Sequence, residues 1–159
     1  MGYTTDFHGQ ISIDPPLNPT EIEYINKFND TRRMNRTNGP YYVGGTGMGG
    51  QDHEDDIQDY NSPPTGQPGL WCNWCATEDG KFIEWDGGEK FYDSAEWMQY
   101  IIDHFLAKNP IAQQASSHFD FLEGHLLNGE ILAEGEEQGD IWKLVVVNNV
   151  FTTKEATIS

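Results

Sequence analysis

The sequence predicts an α+β domain, with one antiparallel sheet carrying two helices on one face. Three observations predict it. Period-two apolar alternation marks strands near both ends of the chain. Asn18 and Asp93 each open a segment with the grammar of a capped helix. Between them, Leu70 to Ala76 and Phe82 to Trp85 read as an aromatic β-hairpin, turned at Glu78-Asp79-Gly80.

The first strand is expected over Thr5 to Ile13. Phe7, Gly9, Ile11 and Ile13 share one parity there, and Asp14-Pro15-Pro16 ends the ladder. A helix follows with Asn18 as cap, Pro19 at the first helical position and Glu21 reaching back in a capping box. Leu17 and Ile22 fall at the staple positions, and Ile22, Ile25 and Phe28 mark the apolar face with Tyr24 beside it. Arg32, Arg33 and Arg36 are expected at the far end of that helix. Its dipole favours cations there, and an anion contact is their alternative use.

Residues 38–69 are rich in Gly, Pro, Asn and Asp and form a long loop excursion. After the hairpin, Asp93-Ser94-Ala95-Glu96 repeats the capping box, with Tyr92 and Trp97 as its staple. Trp97, Met98, Ile101, Ile102, Phe105 and Leu106 make a wide apolar stripe that Lys108-Asn109-Pro110 stops. Residues 111–124 are poorly determined. Leu126 to Ala133 and Ile141 to Val147 read as strands, and Asn148-Asn149 as a tight turn into Val150 to Thr153. The order strand, helix, hairpin, helix, strands is a ferredoxin-like split βαβ with an extra C-terminal strand. A chain of 159 residues is read as one domain, 1–159.

The net charge of −17 is unevenly placed. Residues 1–50 carry −1 and residues 51–159 carry −16, with no arginine after Arg36. Such a field repels phosphate backbones, so direct nucleic-acid binding is not expected; a basic protein surface is the expected partner. No apolar run approaches the ~20 residues of a membrane span. Met1 to Asp6 lack the basic and apolar regions of a signal peptide, and two cysteines suit a reducing compartment, so the expected location is the cytoplasm.

The hairpin holds more ring area than one sheet face needs. A surplus ring on the second face requires cover from the loop, or it forms a patch for a partner. Partner contact is expected from Trp71, Trp74 and Trp85. The acids Asp52, Asp55, Asp56 and Asp59, then Glu84, Asp86 and Glu89, then Glu136 and Glu137, would steer association.

Other motifs carry less. Cys72 and Cys75 have CxxC spacing, but residues three apart on a strand face opposite ways, so a packed, reduced pair is expected. Gly45 to Gly50 contains GxGxxG, yet Gln51-Asp52-His53-Glu54-Asp55-Asp56 follows it, where a nucleotide fold needs an apolar helix. The acids at 52–59 can hold a hard cation or form a solvated loop. His118, Asp120, Glu123 and His125 are the candidate transition-metal ligands. No nucleophile–base pattern appears, and neither a catalytic residue nor a cofactor is expected.

Pro68 to Trp74, Glu84 to Tyr92 and Glu96-Trp97 carry a resemblance, joined by Phe7 to Ile11, Ile13 to Leu17, Leu127 to Glu130, Gly135-Glu136 and Asp140. In these blocks the chain resembles small acidic proteins of unknown function encoded by bacteriophages and mobile elements. More remotely, it is similar to a phage- and plasmid-borne ferredoxin-like family. The resemblance implies a phage setting, which makes the expected location the host cytoplasm, with no active site to transfer. From the −16 skew after residue 50, the surplus aromatic face and the absence of catalytic grammar, the expected function is an acidic interaction module that binds, and inhibits, a basic host defence or nucleic-acid-handling protein, with nucleic-acid mimicry as its sharpest form. A small metal-dependent enzyme or ligand-binding domain is the alternative, and a structural homodimer is the third reading.

Overall fold

A computed structural model of the chain describes residues 2–45, 47–52 and 54–155. Six strands form one antiparallel sheet: β1 (Asp6–Asp14), β4 (Trp74–Ala76), β5 (Phe82–Trp85), β6 (Leu126–Glu134), β7 (Ile141–Val147) and β8 (Val150–Glu155). Their spatial order is β4-β5-β1-β6-β7-β8. Two short strands, β2 (Asn35–Arg36) and β3 (Ile57–Asp59), pair separately within the long loop. Helix α1 (Pro19–Asp30) joins β1 to the β4–β5 hairpin by way of that loop, and α2 (Ser94–Ile101) joins the hairpin to β6. A π-helical turn over Ile102–Leu106 extends α2, and α3 (Ile111–Ala115) follows it. Among the described residues no helix is long and apolar enough to cross a membrane.

Local grammar explains most of these elements. Asn18 Oδ1 accepts from the Glu21 amide at 2.8 Å and Glu21 Oε1 accepts from the Asn18 amide at 2.9 Å, closing the capping box. Asn148 and Asn149 both have positive φ, 48° and 72°, which gives β7–β8 a two-residue turn of the twist that hairpins require. On β1, Phe7, Ile11 and Ile13 are buried while Asp6, His8, Gln10 and Ser12 are exposed. Gly9 sits at φ 116°, where a Cβ would lie 2.9 Å from the Glu130 carbonyl of β6, so glycine permits that close pairing.

The core lies on one sheet face. Ile25 and Phe28 of α1 and Trp97, Met98 and Ile101 of α2 share it with Phe7, Ile11, Ile83, Ile131 and Leu144. Phe28 meets Trp97 at 5.8 Å and Phe105 at 5.1 Å, both edge-on, the geometry that adds about 0.5–1.5 kcal/mol per pair beyond burial.

Three expectations need correction. The aromatic hairpin is shorter than its pattern, because residues 70–73 leave the sheet. Arg33 donates its amide to Leu70 O at 2.7 Å, and Asn29 Nδ2 donates to the carbonyls of Cys72 and Trp74, which pins this segment to the end of α1. The second sheet face does not carry the surplus rings. Trp74 opposes Trp85 in the register and both pack toward Phe7, at 5.2 and 5.5 Å, so only Phe82 of the hairpin shares the outer face, beside Ser12. At α2, Asp93 makes no side-chain cap bond; its backbone is left-handed, φ 57° and ψ 37°. Tyr92 is 53% exposed whereas Trp97 is fully buried, so the staple is not formed.

Candidate functional site

The arginine cluster lies beyond α1, not in its last turn, and it builds the long loop. Arg32 donates to Tyr60 O, and Arg33 to the carbonyls of Thr31, Pro40 and Tyr42 while stacking on Phe28 at 4.2 Å. Arg36 is buried and pairs with Asp56 at 3.1 Å, donates to Gly50 O and lies over the Tyr42 ring. Desolvation lowers the Arg33 pKa to about 10, still well above neutral pH. These cations therefore hold loop carbonyls and a loop carboxylate; they do not offer an anion site. The glycine run is part of the same packing, since a Cβ on Gly45 would lie 2.7 Å from Arg36 Nη2. The nucleotide reading of that run fails because no helix follows it among the described residues. Thr46 of that motif and His53 of the acidic run lie outside the described residues.

The segment pinned at 70–73, with Gly69 before it, and residues 88–93 together wall a cavity of about 590 Å³. Leu70, Trp71 and Tyr92 supply its apolar walls, and Asn73, Glu89, Lys90 and Asp93 its polar groups. Trp71 rests against the loop at Gly49, where a Cβ would lie 2.8 Å from its ring. Tyr92 Oη accepts from the Tyr3 amide at 3.1 Å, and Tyr3 Oη in turn donates to the Asp140 carboxylate and accepts from the Glu137 amide. The N-terminal arm thus ties the cavity wall to the acidic β6–β7 loop, where Glu136 Oε1 accepts from the Thr4 amide.

Two features of this cavity are unusual. Asn73 is 8% exposed and lines the cavity, its side-chain amide beside Gly88. Lys90 and Asp93 both adopt left-handed backbone, φ 59° and 57°, at about 1–2 kcal/mol each for a residue with a Cβ. Nearby, the buried Trp97 Nε1 lacks an acceptor among the described residues, close to Gly69 and Asp93.

Placement sorts the expected contact residues. Trp71 and Glu89 line the cavity. Glu136 and Glu137 adjoin it through Tyr3. Asp86 is next to it, but its carboxylate already accepts from Asn29 Nδ2 and the Gly88 amide. Trp74 is fully buried and cannot touch a partner, and half-buried Trp85 faces the core. Glu84 lies on the outer sheet face, accepting from Gln10. Asp52 and Asp55 are exposed in the loop, Asp56 is held by Arg36, and Asp59 caps its own turn at Asn61. Asn73, Tyr92 and Asp93 were missed. The signal available for Asn73 was a lone amide inside the Trp-Cys-Asn-Trp-Cys run.

The other motifs come apart in space. Among the described residues no group of three or more His, Cys, Asp or Glu side chains is placed to hold a metal. His118 and Asp120 are exposed, whereas His125 is sealed against Glu21 at 2.7 Å. Cys72 is wholly buried and Cys75 half-buried, with no disulfide. Burial pushes the Cys72 thiol up to about 12, and burial with Asp86, Glu84 and Asp30 pushes Cys75 up to about 11. Neither is a thiolate at neutral pH. His104, stacked on Tyr100 at 3.8 Å, has its Nδ1 2.6 Å from Tyr41 Oη, and burial lowers its pKa.

Comparison with family models, with curated proteins and with solved structures found no match to this chain.

Proposed function

We propose that the chain is an acidic interaction module that binds a basic protein through the cavity between Trp71 and Tyr92. One observation carries the reading: the Trp71 and Tyr92 rings line a cavity beside Glu89 and Asp93, with Glu136 and Glu137 joined to it through the N-terminal arm, in the −16 half of the chain. Rings of this kind give contact area at low entropic cost, and the charge steers encounter. In the phage setting that the sequence resemblance implies, the basic partner is a host defence or nucleic-acid-handling protein, inhibited by nucleic-acid mimicry. The connection order β1-α1-β4-β5-α2-β6, with neighbours β4-β5-β1-β6, supports the ferredoxin-like split βαβ reading, β7 and β8 extending it.

Affinity capture from a bacterial host lysate tests it. Proteins of high isoelectric point should be enriched at about 50 mM salt and released by about 300 mM, as screened ionic contacts require. Trp71→Ala should reduce that capture. Recovery of no basic protein, or capture indifferent to Trp71, overturns the reading.

A further inference from the structure

We infer that the Trp71–Tyr92 cavity seats an arginine side chain of the partner; the inference rests on the basic-partner reading above. The cavity asks for a particular chemistry. Asn73 presents a mostly buried side-chain amide from its place in the wall. Asp93 presents a carboxylate that caps no helix, because its left-handed backbone takes the side chain out of capping position. Trp71 presents a flat ring held by Gly49, and Tyr92 a second ring.

The occupant must therefore donate several hydrogen bonds, carry positive charge and lie against an aromatic face. Guanidinium does all three: it is planar, weakly hydrated and donates in a fixed fork. An ammonium is a compact, strongly hydrated charge that loses more on entering apolar walls. An anion is disfavoured by Glu89 and Asp93. Lys90, the single cation of the wall, is outnumbered by these two carboxylates, and its aliphatic stem packs along Gly2, where a Cβ would lie 2.5 Å from Cδ. The cavity, about 590 Å³, exceeds one arginine side chain and leaves room for flanking residues of the partner.

The test titrates three peptides into ¹⁵N-labelled protein: acetyl-Gly-Gly-Arg-Gly-Gly-amide, its lysine counterpart and its uncharged citrulline counterpart. The Asn73 side-chain amide and the Trp71 indole are followed by NMR. The arginine peptide should shift both and bind about fivefold or more tighter than lysine, with citrulline weaker than either cation. Trp71→Ala and Asp93→Asn should each weaken arginine binding about threefold or more with the amide spectrum elsewhere unchanged. Asparagine keeps the left-handed preference, so Asp93→Asn removes the charge without removing the backbone. Equal binding of lysine and arginine, or shifts that bypass Asn73 and Trp71, overturns the inference. Poly-L-lysine at low salt separates the two readings. If it binds while the arginine peptide leaves Asn73 in place, the pocket falls and the basic-partner reading stands; if neither binds, both fall.

Discussion

His125 Nε2 lies 2.7 Å from Glu21 Oε2, with both side chains sealed from solvent. The other ring nitrogen, Nδ1, lies 2.6 Å from the Pro15 carbonyl. With an acceptor at each nitrogen, the doubly protonated ring is the form that satisfies both. Glu21 closes the α1 capping box with Oε1 and accepts from the Glu123 amide with Oε2. One buried ion pair therefore joins the start of α1 to the start of β6.

This pair sets a pH window. Burial disfavours both charges, but the Glu21 contact and the Pro15 carbonyl outweigh it and raise His125 above 6.5. The His125 contact and the Asn18 and Glu123 amides likewise outweigh burial and lower Glu21 below 4.5. The His125 contribution is full below 6.5 and is lost as pH rises through its raised folded value. The Glu21 contribution is full above 4.5 and is lost as pH falls through its lowered value. Thermal unfolding of wild type and His125→Gln from acid to alkaline pH should show their largest difference between 4.5 and 6.5, narrowing on the alkaline side. A difference that grows toward alkaline pH would refute the charged pair.

Glu21→Ala should destabilise by about 3–5 kcal/mol in urea unfolding, because it strands a buried imidazolium and opens the α1 cap. Asn18→Ala removes the other half of the box and the Nδ2 bond to the Phe121 carbonyl, and should cost about 1–2 kcal/mol.

Arg36→Met should release the loop without unfolding the sheet. Asp56, Asn38 and Gly50 all meet at this guanidinium or its partner carboxylate. Limited proteolysis should move into residues 44–56 in the variant while protection of β1 and β6 against hydrogen exchange persists.

Gly9→Ala combines an unfavourable φ with a Cβ pressed to 2.9 Å from a backbone oxygen. A loss of about 1–3 kcal/mol is expected from the urea midpoint. A neutral result would show that β1 and β6 can part there at no cost.

Alkylation at neutral pH should leave Cys72 unlabelled in the folded protein and modify Cys75 about 100-fold more slowly than a model thiol, following its rise from 9.0 to about 11. Rapid labelling of Cys75 would contradict its packed, acid-flanked setting.

The sequence by itself determined what neighbouring residues settle among themselves. Asn18-Pro19-Thr20-Glu21 specified a helix start, Asn148-Asn149 a hairpin turn, Phe7, Ile11 and Ile13 the buried face of a strand, and Trp97 to Leu106 a core stripe. Partners in each case lie within about one turn of helix or one strand, where spacing and backbone preference decide. Tertiary structure alone decided that residues 70–73 leave the sheet, because Arg33 and Asn29 capture the carbonyls of Leu70 and Cys72 from far earlier in the sequence. It also decided that Trp74 and Trp85 face inward, that the arginines are buried inside the loop, and that Asn73 is left facing a cavity. Each of these outcomes is a competition for hydrogen bonds and apolar cover among segments far apart in the chain, and no local spacing records which segment wins.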